Sequence, residues 1–180
     1  MNTYLRDPFF WALIATLAIV LEFLVFIPRK KYKKWVYALG GITALSGFEI
    51  SRLLIPFLPQ PQIGASPVLK YAGMFIFFLG IFVAGGAFIQ IMKAKKENWK
   101  LRTGGFYSLV RHPMYFGDIL WNLGWCMYWR SLVGVALTPV WIFLRLTLAV
   151  LEEEKLIEKY KETYLNYTKK VKFRIIPFLI

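Results

Sequence analysis

The sequence predicts an all-α, polytopic integral membrane protein: about five transmembrane helices, then an amphipathic helix on the cytoplasmic side. Three observations carry this expectation. Of the 180 residues, 58% are hydrophobic, well above the usual apolar share of a soluble domain. Five apolar runs, Pro8–Ile27, Trp35–Ile55, Val68–Met92, Pro113–Tyr128 and Leu132–Leu151, approach or reach the roughly 20 residues that span a bilayer. Most of the 23 Lys and Arg residues fall in clusters after the first, third and fifth runs. A soluble bundle of this composition would expose too much apolar surface. In lipid the backbone must satisfy its own hydrogen bonds, so the runs are expected to be helices.

The chain is expected to form one membrane domain: three N-terminal helices over 1–92, then a loop, a helix hairpin and a tail over 93–180. The first run lacks the basic n-region and small-residue cleavage site of a secretory signal, so it is read as a retained helix. Alternate crossings put the basic clusters 28–34, 93–111 and 155–174 on one side, which the positive-inside rule makes cytoplasmic. The N-terminus is then outside and the C-terminus inside. The formal net charge of +13 thus reflects topology and attraction to anionic lipids. Nucleic acid is not an expected partner, because no recognised binding module accompanies the charge. One cysteine, Cys126, and one histidine exclude an intrachain disulfide and a structural zinc site.

Each element has its own signature. Glu22 near the inner end of the first helix is expected to reach water. On the second helix, Glu49 and Arg52 stand three apart, spaced to pair. The proline-rich stretch Pro56–Pro67 reads as a rigid outer connector. On the third helix Gly80 and Ala84, and on the fourth Gly117 and Gly124, are small residues of the kind that let helices approach closely in lipid. The fourth run is short, so a tilt or a backward extension is expected. Asn122 is placed to satisfy Asp118. The turn Trp129–Ser131 makes helices four and five an antiparallel hairpin. Arg145, inside helix five, has no near partner in sequence, so its partner is expected from another element; on its own helix Glu152 and Glu153 are the candidates, at long reach. Beyond it, Leu156, Tyr160, Tyr164, Tyr167 and Val171 form an apolar, aromatic face expected to lie on the membrane surface. The tail VKFRIIPFLI reads as a lipid hook.

The sole histidine sits in RHPMYFGD, residues 111–118. Pro113 suits the first turn of a helix, which leaves His112 at the helix start beside the glycine-rich stretch Thr103–Gly105. If helices four and five are a hairpin, His112, Tyr115 and Glu152 converge at their cytoplasmic ends.

RHPMYFGD, followed about forty residues later by EE-x-x-L-x-x-x-Y-x-x-x-Y-x-x-Y and a terminal I-P-F, resembles the isoprenylcysteine carboxyl methyltransferase family over about Lys93–Ile180. The resemblance implies S-adenosylmethionine as cofactor, S-adenosylhomocysteine as product, and a lipid-like acceptor entering from the bilayer. It implies cofactor binding by Tyr107, His112, Pro113, Met114 and Tyr115, and contact by Glu152. The stretch Trp99–Arg102 takes the place of a further cofactor-binding segment, with Lys100, Leu101 and Arg102 as candidates and Leu101 the residue that matches in type. One departure stands out. Family members that act on prenylated proteins carry an arginine one turn before the Glu pair. Leu148 occupies that position here, and Arg145 lies almost a turn earlier. Arg145 or Arg174 is therefore expected to hold a substrate carboxylate, most simply that of a prenylcysteine. Phospholipid N-methyltransferases share similar motifs and would need a base for an amine acceptor, with Glu153 or Glu154 as candidates. R-H-x-x-Y-x-G-D and the segment Phe173–Pro177 also resemble NADPH-dependent membrane sterol reductases, which have more helices.

Overall fold

A computed structural model describes residues 3–26, 34–98 and 100–179. The basic stretch 28–33 and Trp99 lie outside the described residues. Among the described residues six α-helices follow in order: α1 (Pro8–Phe26), α2 (Lys34–Leu54), α3 (Pro67–Lys96), α4 (Pro113–Tyr128), α5 (Leu132–Tyr160) and α6 (Glu162–Lys170). Short 3-10 turns occupy Thr3–Arg6, Ile55–Phe57 and Gly105–Ser108. Among the described residues, α3 and α5 are long and apolar enough to cross a membrane, and Pro8–Glu22 is a shorter apolar stretch. At 1.5 Å per residue, the 30 residues of α3 reach about 45 Å. The fourth helix has 16 residues and gains no backward extension.

Local chemistry fixes the helix starts. Asp7 accepts a hydrogen bond from the Phe9 amide at 2.8 Å, which caps α1. Pro67 and Pro113 take first-turn positions, where a missing amide costs nothing. The Ser131 side chain accepts from the Gly134 amide at 3.0 Å and starts α5. The proline-rich connector is tethered through Gln60, whose Oε1 accepts from Ser131 Oγ at 2.7 Å and from the Val133 amide at 3.1 Å.

Small residues set the tightest packing. Gly73, Gly80, Ala87 and Ala94 are the buried residues of α3, seven apart, so they return to one face every second turn. Gly73 meets Gly124 and Gly80 meets Gly117 on α4. A Cβ on Gly80 would strike the backbone of Trp121 and Gly117, and one on Gly117 would strike Ala84 and Gly80. The opposite face of α3 is apolar and open, with Val68, Phe75 and Phe82 exposed by 75%, 70% and 67%. A face of that kind is suited to lipid. Elsewhere α1, α2 and α5 share a core of Ala15, Ile19, Phe48, Ile55, Trp141 and Leu148.

Between these helices lies a buried ionic network. Arg52 donates to Asp118 at 2.6 Å and 3.2 Å and to Glu49 at 2.5 Å. Arg145 donates to Asp118 at 3.1 Å and to Glu22 at 3.2 Å, and lies 3.6 Å from Glu49. Trp121 Nε1 adds a bond to Asp118 at 3.0 Å. The Glu49–Arg52 pair forms as its spacing predicts. Arg145 finds its partners on other elements, as expected, and three details are corrected. Glu22 does not reach water but is buried against Arg145. Arg145 turns away from Glu152 and Glu153, because carboxylates on three neighbouring helices are nearer than its own helix end. Asn122 does not satisfy Asp118, and its Oδ1 finds no partner among the described residues.

The C-terminal region also departs from expectation. Helix α5 runs on to Tyr160, and the chain then breaks at Lys161, whose φ of 48° is closed to continued helix. The break swings α6 back. Tyr164, Tyr167 and Val171 bury against Leu101, Leu156 and Tyr160 rather than on a membrane surface. The tail follows suit. Ile175 is fully buried with Ile119 and Ala149, so this part is a strap on the protein, while Phe178 and Leu179 point outward.

Candidate active site

A cavity of about 330 Å³ opens where the ends of α3, α4 and α5 meet the loop 97–112 and α6. Its size is at the lower end of small-ligand pockets, roughly 300–1,000 Å³. Of the residues expected at the cofactor, Lys100, Leu101, Arg102, Tyr107, His112, Met114, Tyr115 and Glu152 all line it. Pro113 is buried behind the wall instead. Ile91 and Ala94 close the α3 side, and Leu156, Tyr160, Tyr164 and Tyr167 close the α5–α6 side.

The loop is tethered from both flanks. Gln90 on α3 accepts from the Phe106 amide at 3.2 Å and donates to the Gly104 carbonyl at 3.4 Å. Gly105 has a φ of 62°, a conformation that favours glycine, and a side chain there would push aside the Gln90 amide that tethers the loop. From the other flank the Tyr167 hydroxyl donates to the Tyr107 carbonyl at 2.6 Å. Burial first, then the charge of Glu152, pushes the Tyr107 hydroxyl above its ordinary value, which keeps it a neutral donor.

His112 is the most constrained side chain in the cavity wall. Its ring stacks on Tyr115 at 5.6 Å with an interplanar angle of 8°. Nδ1 lies 3.5 Å from Glu152 Oε2, and Nε2 lies 3.2 Å from Glu153 Oε1. Burial works against its charged form, but the bonds and charges of Glu152 and Glu153 outweigh it and raise the imidazole above its ordinary value. The Tyr115 ring lines the same cavity as Glu152. The convergence of His112, Tyr115 and Glu152 is therefore present.

Other expectations fare differently. Arg145 and Arg174 do not line the cavity. Arg145 is 4% exposed and committed to the buried network, so it cannot grip a carboxylate without giving one up. Arg174 donates to Glu153 at 3.0 Å. Glu153 is buried and also receives Arg111 at 3.2 Å, which leaves it poorly placed as a free base; Glu154 is exposed. The α6 wall was hidden in the sequence because an aromatic stripe reads alike against lipid and against protein.

The fold and the site define a class of helical protein that has, among the described residues, two helices long and apolar enough to cross a membrane and a cavity at the helix ends large enough for a small ligand. The relatives narrow the class. A family model described as phospholipid methyltransferase matches residues 68–163, more than half of the chain. The chain belongs to the phospholipid methyltransferase family. It is 38% identical over 146 residues to the protein-S-isoprenylcysteine O-methyltransferase of Homo sapiens and 31% identical over 146 residues to that of Rattus norvegicus, in each case across 75% of this chain and 49% of the relative. It is also 34% identical over 87 residues to a Delta(14)-sterol reductase of Methylotuvimicrobium alcaliphilum, across 46% of this chain and 20% of that protein. The chain thus spans half or less of the length of these curated relatives. No solved structure matches it.

Proposed function

We propose that the protein transfers a methyl group from S-adenosylmethionine to a lipid-borne acceptor, with the carboxylate of a prenylcysteine-type lipid as the first candidate. One observation carries the reading: residues scattered over Lys100–Glu152 in sequence, each expected at the cofactor, line a single cavity. The fit is chemical as well as steric. Glu152 offers a carboxylate for hydroxyl or ammonium groups. The aromatic and aliphatic wall of Tyr107, Leu156, Tyr164 and Tyr167 suits a heterocycle, and Lys100 suits a carboxylate. Arg102 and Arg111 are already paired, with Glu97 at 2.7 Å and Glu153 at 3.2 Å, so the wall is less cationic than its composition implies. A dinucleotide carrying several phosphates would need more room and more free cations, which disfavours the reductase reading.

S-adenosylmethionine, when bound, supplies an electrophilic methyl carbon on a sulfonium. An α-carboxyl, with a pKa of roughly 3.5, is ionised at neutral pH and needs no base. The chain's task is then to align the acceptor and exclude water. Five membrane crossings with the basic segments on the cytoplasmic side complete the reading: cofactor from the cytoplasm, acceptor sideways from lipid.

A second reading rests on the buried network. Its described members hold three carboxylates against two guanidiniums, and Glu49 is the most open of them, with its side chain 40% exposed. A surplus negative charge at membrane depth suits a lipid amine better than a carboxylate. The test is methyl transfer by the full chain in nanodiscs, offered a farnesylcysteine analogue or phosphatidylethanolamine with labelled cofactor. Label on the thioether lipid supports the first reading, label on the amine supports the second, and label on neither overturns both.

A further inference from the structure

We infer that Glu153 is a positioning residue: it holds His112 as a doubly protonated imidazolium between two carboxylates, and it ties that arrangement to the C-terminal strap. The inference rests on the reading of the cavity as the donor site, and it adds a residue that faces away from the ligand.

The geometry is that of a relay. Glu153 Oε1 lies 3.2 Å from His112 Nε2, and Glu152 Oε2 lies 3.5 Å from Nδ1. A neutral imidazole can donate from one nitrogen alone, and its other nitrogen would then face a carboxylate lone pair to lone pair. Two carboxylates on opposite ring nitrogens are both satisfied by the imidazolium. Glu152 faces the cavity and Glu153 does not. Glu153 is 5% exposed, so its charge cannot lean on water and instead leans on Arg111 at 3.2 Å and Arg174 at 3.0 Å. The two arginines arrive from different parts of the chain. The strap is docked by the Arg111 amide to the Phe173 carbonyl at 2.9 Å and the His112 amide to the Arg174 carbonyl at 2.7 Å, and is seated by buried Ile175. Strap, Glu153, His112 and Glu152 therefore form one connected series that ends in the cavity.

Titratable and charged groups face His112 from each element packed around it. From α4, Tyr115 stacks on it. From α5 come Glu152 and Glu153, from the preceding loop Arg111, and from the strap Arg174. On α6, Tyr164 lies within electrostatic range of both Glu153 and Arg111. Lys100, Arg102, Tyr107 and Lys159 line the same cavity. The nearest charges are the two carboxylates, which set the balance toward the proton. The consequence for binding is that His112 keeps the Glu152 carboxylate ionised and oriented across neutral pH.

The protein contains one histidine, so ring ¹⁵N signals of ¹⁵N-histidine-labelled full-length chain in nanodiscs report on His112 alone. The parent should carry protons on both ring nitrogens at pH 7.5. Glu153→Gln should lower the titration midpoint by about one pH unit or more, a tenfold change in the protonation constant. Its affinity for S-adenosylhomocysteine should become pH-dependent, weaker by about tenfold at pH 7.5 and recovered at pH 6. Arg174→Gln, at a half-exposed partner of Glu153, removes a cation that competes with His112 and should raise the midpoint; it serves if Glu153→Gln does not fold, and an unmoved or lowered midpoint overturns the tie to the strap. A parent His112 that is neutral at pH 7.5 overturns the inference without any variant. So does a Glu153→Gln chain whose affinity falls equally at every pH. If S-adenosylhomocysteine binds no form while His112 titrates as stated, the relay stands and the donor-site reading fails.

Discussion

Two ionic clusters in this molecule use the same side chains for different ends. The Glu152–His112–Glu153 group lies at the ends of helices, against a cavity, and one of its carboxylates faces that cavity. The Arg52–Asp118–Arg145 group lies between helices α1, α2, α4 and α5, and Arg52, Asp118 and Arg145 are nearly sealed, with side chains 2%, 13% and 5% exposed. Ions removed from water are stable when every partner is in place and costly when one is removed. The sealed cluster should therefore be intolerant of change in folding. In the other cluster Glu152, which opens to the cavity, should tolerate change in folding and register it in binding, whereas His112 and Glu153 are themselves buried.

The largest effect is expected from Asp118→Asn. It withdraws the anion shared by both arginines and should destabilise the fold by about 3–5 kcal/mol, read as a large drop in the thermal midpoint in detergent by tryptophan fluorescence. A midpoint near the parent's would make the two clusters equivalent. Glu152→Gln is the counterpart in the open cluster. It should weaken S-adenosylhomocysteine binding by about 1.5–3 kcal/mol, the scale of one charged hydrogen bond, with little change in thermal midpoint. Arg145→Lys keeps the charge but loses the fork that reaches Asp118 and Glu22. It should cost stability and leave cofactor affinity nearly unchanged.

A smaller effect concerns pH. The folded-state pKa of His112 lies above its ordinary 6.5. A group raised on folding contributes stability that is fully present below the unfolded value and fades as pH rises through the folded one. The thermal midpoint should thus decline as pH climbs past about 6.5, and His112→Gln should flatten that slope. The smallest effect is expected at Glu154, which is exposed: Glu154→Gln should match the parent in both stability and binding.

The sequence announces the open cluster and conceals the sealed one, for a physical reason. His112, Pro113 and Tyr115 sit within four residues, and the hairpin that returns Glu152 to them is fixed by the three-residue turn at Trp129–Ser131. Local spacing is enough there. The helix starts at Pro113 and Leu132 were legible in the same way, and that of α3 to within one residue, while Gly80 and Gly117 marked close approach without saying which helices meet. The partners of Arg145 come from Glu22 and Asp118, 123 and 27 residues away, and no period in a single sequence encodes which helices are neighbours. The reversal of α6 turns on one backbone conformation at Lys161, a residue type that does not announce a turn. Without that break, the stripe of Tyr160, Tyr164 and Tyr167 reads as a membrane-surface face. With it, the same stripe closes the cavity.

The central claim is that this cavity is a donor site for S-adenosylmethionine. Calorimetric titration of the full chain in nanodiscs, with S-adenosylhomocysteine and with NADPH, tests it most directly. Saturable binding of S-adenosylhomocysteine that weakens about tenfold or more in Glu152→Gln, and no binding of NADPH, is the expected result. Binding of NADPH in place of S-adenosylhomocysteine, or a Glu152→Gln chain that binds like the parent, would contradict it.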